Sequence, residues 1–223
     1  MSEFEKEFKW IEKESVVKET RIAEQHHHLN RYDNVLPFDD NLVLDHYINA
    51  SFVNNNIVTQ WPLEHTIQDF WEMIWVHHIE AIVVLTHTER NIVYWPTKNK
   101  DIVGKYHVEW IDKQLKKDMI VNLVLLNKER YVYHIQYTAW PDFGCPTNMK
   151  TLIKLINMVA PYKKCIHCTA GVGRSGTFMT IDQCIKNHTN VKETILQLRT
   201  QRMGMVQTKE QLAFCYEALK YIK

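Results

Sequence analysis

The spacing of apolar residues divides the chain into a helical margin, a strand-rich middle and a helical end. Residues 3–24 are charge-rich, and Phe4, Phe8 and Ile11 fall on one helical face, which predicts a surface helix. The run "NNN" at 54–56 predicts a turn between two short extended segments. Residues 66–79 carry Ile67, Phe70, Trp71, Ile74 and Trp75, a wide apolar stripe that predicts a second helix. The unbroken run "AIVVLT" (81–86) reads as a buried strand, and "YHVEWI", "MIVNLVLL" and "RYVYHIQYT" as further strands, some alternating and so half exposed. From Thr147 the period is helical. Leu152, Ile153, Ile156 and Val159 mark one helix, Val191, Ile195 and Leu198 another, and Leu212, Phe214, Tyr216 and Leu219 a last one, with a short strand ending at "CIHC" among them. The sum is an α/β (α+β) fold: a central twisted mixed sheet flanked by helices. No repeat or linker interrupts it, so one domain over residues 1–223 is expected.

Charge narrows the function classes. A net charge of +1 gives no global field to recruit nucleic acid or an anionic membrane, so any bound anion requires a local site. No apolar run approaches the ~18 residues of a membrane span. The start "MSEFEKEFKW" has no signal-peptide core, position 2 is not glycine, and "YIK" is no prenylation box. Five cysteines do not make a disulfide framework, and a reducing, cytoplasmic setting is expected.

The densest local signal is "KKCIHCTAGVGRSGTF" (163–178), which holds three of the chain's six glycines. "GVGRSG" matches the dinucleotide-binding pattern, but that fold needs further βαβ units, and the residues after Gly176 are mostly helical in period. It is no ATP-type loop either, because Thr177 and not lysine comes next after Gly176. Two readings remain open from the residues. One is a structural helix start behind a packed cysteine, which leaves Arg174 unexplained, since a buried guanidinium needs an anionic partner. The other is an anion nest of backbone N–H groups at a helix N-terminus, with Arg174 as a phosphate fork and Cys168 at its mouth. There the thiol pKa would drop from about 8.5 into the range of roughly 3.5 to 7.5.

"HCTAGVGRSG" resembles the signature H-C-x-x-G-x-x-R-[ST]-G of the protein tyrosine phosphatases. "NRYDNVLPFD" (30–39), "YINASFV" (47–53), "TQWPL" (59–63), "FWEMIW" (70–75), "YWP" (94–96), "WPDFG" (140–144) and "QTKEQLAF" (207–214) follow in family order, and "NRY" favours the tyrosine-specific branch. The resemblance implies a phosphatase domain whose Cys-x5-Arg loop joins a strand to a helix, with no metal and no cofactor. It implies Cys168 as nucleophile forming a cysteinyl-phosphate, Arg174 as phosphate clamp, and Asp142 as general acid and then base. Gln207 and Gln211 match residues that position the hydrolytic water, and Ser175 assists the departing thiolate. The backbone of Thr169, Ala170, Gly171, Val172 and Gly173 would cradle phosphate. His167 would be a partly buried histidine ordering the loop. Tyr32 would wall the phosphotyrosine ring, Asn34 would meet the substrate backbone, and Arg90 and Glu89 would stand near substrate and Arg174. Gly144 suggests a hinge for a closing loop. The implied substrates are phosphotyrosine-containing proteins, met by a monomer without nucleic acid or membrane.

Departures from the family pattern carry their own expectations. Asn34 replaces an aspartate, which weakens peptide affinity, and Asp33 disfavours acidic flanks. Trp61 replaces a glycine without an evident physical reason. "YKKCIHC" is polar for its place, which suggests a less buried edge strand. The trimmed loops, with no appended targeting segment, are similar to the small phosphatases of insect-associated viruses, bracoviruses in particular. Two other functions compete: a catalytically weak phosphotyrosine-binding module, or a phosphatase for phosphoinositide or RNA 5′-phosphate. Cys165 and Cys168 spell C-x-x-C, but three residues along a strand span roughly 10 Å and favour a packed Cys165. Cys145, Cys184 and Cys215 read as packing residues, Cys145 the less buried. His26, His27 and His28 read as a solvated helix end before a weak metal site.

Overall fold

The computed structural model describes residues 2–87, 92–97, 100–142 and 144–222. The elements run α1 (Glu3–Glu14), α2 (Arg21–Gln25), β1 (Ala50–Val53), β2 (Asn56–Thr59), α3 (Ile67–Val76), β3 (Ala81–Val84), β4 (Lys100–Val103), β5 (Tyr106–Lys116), β6 (Met119–Leu126) and β7 (Arg130–Tyr137). Then come α4 (Met149–Val159), β8 (Lys164–His167), α5 (Gly173–Asn187), α6 (Val191–Arg199) and α7 (Lys209–Ile222). Among the described residues the strands form one eight-stranded sheet in the order β1-β2-β8-β3-β7-β6-β5-β4. Its centre is parallel, from β2 through β8 and β3 to β7, and its flanks are antiparallel. This is the mixed, helix-flanked sheet that the apolar periods predict.

Parallel strands covered on both faces need apolar side chains on both, and β3 and β8 supply them by alternation. Val83 and Ile166 join a core with side chains of α4, α5, α6 and α7, whereas Ile82, Val84 and Cys165 join a core with Phe70, Trp71 and Ile74 of α3. The turn predicted at 54–56 is tight: Asn54 (φ 47°) and Asn55 (φ 65°) both take the left-handed conformation of a two-residue hairpin loop.

Two expectations fail locally. The helix expected over 3–24 splits. α1 starts on Ser2, whose hydroxyl accepts the Glu5 N–H at 3.2 Å, and stops at Glu14, where Ser15 turns extended (ψ 134°) and returns its own hydroxyl to the Ile11 carbonyl at 2.6 Å. The paired β-branched residues Val16 and Val17 come next, outside the helix. Nor is the strand before Cys168 an edge: β8 is the middle of the parallel centre and is buried throughout. Its polar residue is accommodated because Lys164 buries its stem and pairs its ammonium with Asp182 at 3.8 Å and the Val159 carbonyl at 3.4 Å.

Candidate active site

β8 ends at His167, and the chain wraps a five-residue loop around the Cys168 sulfur before α5 begins at Gly173. Gly171 is forced by this wrap. Its φ is +73°, and a Cβ there would lie 2.0 Å from the Thr59 carbonyl oxygen. The Gly171 N–H donates to Cys168 Sγ at 3.3 Å. Burial opposes ionisation of this thiol, but the Ser175 hydroxyl and N–H, the Gly171 N–H and the Arg174 charge together outweigh it, and the pKa is lowered. Ser175 Oγ is fully buried and makes no hydrogen bond of standard geometry; it stands close enough to the sulfur to favour the thiolate without full alignment.

Arg174 joins the loop to two other segments. One nitrogen donates to Thr86 Oγ1 at 2.6 Å and the Leu85 carbonyl at 3.4 Å, just beyond β3. The other donates to the carbonyls of Pro141 (3.0 Å) and Asp142 (3.2 Å). These partners are neutral oxygens, not the anion expected for a buried guanidinium. Arg174 is only half buried, and its fork borders the open cavity.

That cavity, about 400 Å³, is lined by Tyr32, Asn34, Val35, Asp142, Cys168, Thr169, Ala170, Arg174, Gln207 and Gln211. Most residues implied by the signature therefore meet in one place, although they are scattered from position 32 to position 211. Tyr32 and Asp142 line it while remaining exposed to solvent. Gln211 is held by the Gln207 N–H, which donates to its Oε1 at 2.8 Å. The bare Gly173 makes room for the pair, since a Cβ would come within 2.7 Å of Gln207 Oε1. Gly171, Val172 and Gly173 do not line the cavity; Val172 buries its side chain and spends its carbonyl on the N–H groups of Gly176 (2.8 Å) and Val206 (3.1 Å). Arg90 and Glu89 lie outside the described residues. A larger cleft of about 730 Å³ opens at the far end of β8, around Lys164 and Asp182, but it contains none of these groups.

Several residues that support the loop were not legible in the sequence. Arg202 is fully buried and donates to the carbonyls of Gly171 (2.9 Å) and Ala170 (3.3 Å), to Ser51 Oγ (3.1 Å) and to Asn49 Oδ1 (2.8 Å). Burial lowers its pKa to about 10, so it stays a cation behind Cys168. Trp61, left without a reason by the sequence, fills the space behind the loop. It is fully buried, its N–H donates to the Thr169 carbonyl at 2.9 Å, its indole to the Ile92 carbonyl at 2.9 Å, and its ring meets His167 edge-on at 5.1 Å. Val206 takes φ +63°, an outlier for a β-branched residue, held by Arg199 donating to the carbonyls of Met205 (2.9 Å) and Val206 (2.7 Å). That turn delivers Gln207 to the cavity.

His167 is fully buried, more so than expected, with its pKa pushed down to about 4 chiefly by burial. All five cysteines are free thiols: Cys165 is buried, as the strand spacing predicts, Cys184 and Cys215 are buried packing residues, and Cys145 is half buried. His26 stacks on Tyr47 at 5.1 Å, and among the described residues no group of three or more His, Cys, Asp or Glu could hold a metal ion. No helix among them is long and apolar enough to cross a membrane.

The strand–loop–helix, the sulfur wrapped in N–H donors and the arginine beside it define a domain built around a buried cysteine loop. Comparison with known sequences specifies which. The protein-tyrosine phosphatase family model matches residues 26–221. The chain is 36% identical over 210 residues to tyrosine-protein phosphatase 2 of Dictyostelium discoideum, covering 81% of this chain and 56% of that protein. It is 35% identical over 235 residues to tyrosine-protein phosphatase non-receptor type 2 of Mus musculus (87% and 58% covered), and 34% identical over 227 residues to the human protein of that name (85% and 55%). The chain thus belongs to the protein-tyrosine phosphatase family, and it spans a little over half the length of these relatives.

Proposed function

We propose that the chain is a protein tyrosine phosphatase, one catalytic domain over residues 1–223 that hydrolyses phosphotyrosine in proteins without a metal or cofactor. The observation that carries this reading is the depressed Cys168 thiol, surrounded by N–H donors and Arg174 at the floor of an open cavity. In the first step the Cys168 thiolate attacks phosphorus, the S–P bond forms, and the P–O bond to tyrosine breaks while Asp142 gives that oxygen a proton. In the second step Asp142, now a carboxylate, takes a proton from water held by Gln207 and Gln211. The oxygen of that water displaces sulfur, and Ser175 meets the returning thiolate. Arg174 and the N–H groups of Thr169 and Ala170, which line the cavity, hold the equatorial oxygens, where charge spreads in a phosphoryl transfer.

Tyr32 at the rim favours an aryl phosphate long enough to reach the sulfur, and the near-zero net charge offers nothing to phosphoinositide membranes or RNA. The Asp142 loop closes over bound phosphate about Gly144. The protein acts as a cytoplasmic monomer on phosphotyrosine-containing partners. The test is phosphate release from a phosphotyrosine peptide with and without EDTA, beside phosphoserine, phosphoinositide and RNA 5′-phosphate substrates. Release from phosphotyrosine alone, indifferent to EDTA and abolished by Cys168→Ser, is expected. Full turnover by Cys168→Ser would overturn the assignment, and saturable binding without release would make the chain a sequestering module.

A further inference from the structure

A chain of buried polar side chains stands behind the cysteine loop on the α3 side of the sheet. It begins at a main-chain oxygen. The Cys168 carbonyl can only accept, so His167 Nδ1, 3.0 Å away, carries a proton. His167 is buried and neutral at pH 7, so its Nε2 is bare and must accept from the Tyr94 hydroxyl at 2.6 Å. That uses the only proton Tyr94 has. His134 Nε2, 3.1 Å from the same oxygen, must therefore donate to it. His134 Nδ1 is then the acceptor, and it faces the amide nitrogen of Asn122 at 3.5 Å, its direct cross-strand partner between β6 and β7. Trp95 packs against the His134 ring, centroids 4.0 Å apart and planes tilted by 33°.

Every donor in the row thus points toward the main chain of Cys168. The reverse order would set a bare His167 Nδ1 against the carbonyl lone pairs, or require a buried imidazolium near the Arg31 charge. We infer that His134 is a positioning residue of the cysteine loop: its Nε2–H commits the Tyr94 proton to His167 and so fixes the tautomer that ties down the Cys168 carbonyl. The kinetic consequence rests on Cys168 being the nucleophile; the tautomers do not.

The test uses the 15N-labelled full chain and long-range 1H–15N correlation at pH 7. His167 protonated on Nδ1 and His134 on Nε2 are expected. His134→Leu removes the donor and His134→Gln restores one. The Leu variant should lower kcat about fivefold at unchanged KM and move Cys168 alkylation to higher pH, with the Gln variant returning both toward the parent. A His134 proton on Nδ1, or a folded Leu variant with parental kcat and alkylation profile, would overturn the inference. If the Leu variant does not fold, the tautomers of the unmodified chain decide. Expected tautomers and alkylation shift in a chain that releases no phosphate would uphold the inference and sink the proposed function instead.

Discussion

The two halves of the cavity are built on opposite plans. The floor, from Cys168 to Gly176, is held from behind by Arg202, Trp61, His167 and Val206, each fully buried. On the other side Asp142 is itself exposed, while Arg174 donates to the Pro141 and Asp142 carbonyls and the Trp140 indole donates to the Gly144 carbonyl at 3.2 Å. A cradle for a tetrahedral dianion gains from donors fixed before the ligand arrives, because they need no reorganisation as charge develops. A group that must give and then take a proton gains from access to solvent and freedom to approach. Under the proposed roles, the contrast teaches that burial is placed where charge is to be bound and exposure where protons are to move.

If that contrast holds, substitutions on the two sides differ in kind. The largest effect on rate is expected from Asp142→Asn, which should lower kcat about a thousandfold while leaving the melting temperature unchanged. Arg174→Met should lower kcat/KM by about 10² to 10³, since it removes the fork that meets phosphate. On the floor, Arg202→Met leaves the oxygens of Gly171, Ala170, Ser51 and Asn49 without their donor. A loss of about 2–4 kcal/mol in urea unfolding is expected, with activity falling alongside. An Arg202→Met protein as stable as the parent would remove the idea of a braced floor.

A smaller effect concerns acid. His167 is buried neutral with a pKa near 4, and His134 is pushed by burial to about 3, both from an ordinary 6.5. Between those values the unfolded chain binds protons that the folded chain refuses. Stability is therefore full above pH 6.5 and falls as the pH drops toward 4. Thermal melts from pH 7.5 to 4.5 should show this decline, and Tyr94→Phe, which frees both rings from their shared hydroxyl, should change its slope. Trp61→Phe keeps an aromatic ring but leaves a void in place of the pyrrole ring and loses the indole bond to Ile92, so a loss of about 1–3 kcal/mol in urea unfolding is expected with little change in kcat.

How far the sequence could be read depended on range. The elements were legible because their apolar periods are local: "AIVVLT" becomes β3 and "NNN" becomes a hairpin turn with both asparagines left-handed. The cavity residues were legible because a contiguous signature fixes Cys168 and Arg174, and short motifs carry Tyr32, Asp142 and Gln207 to them. Apart from His167, which lies inside the signature, the bracing was not legible. Arg202 lies 34 residues after Cys168 with no motif around it, and its partners Asn49 and Ser51 lie some 150 residues before it. Trp61 looked like a misfit because the space it fills is made by other elements. "YKKCIHC" misled because polarity was counted per residue, whereas Lys164 is apolar along its stem and paired at its tip.

The most direct measurement is the rate at which iodoacetate alkylates Cys168, followed by mass spectrometry across pH 5 to 9, with and without inorganic phosphate or vanadate. A braced anion cradle predicts a thiol that ionises below the ordinary thiol range and is protected by either oxyanion. A Cys168 that reacts only above pH 9, at a rate that phosphate and vanadate leave unchanged, would contradict it.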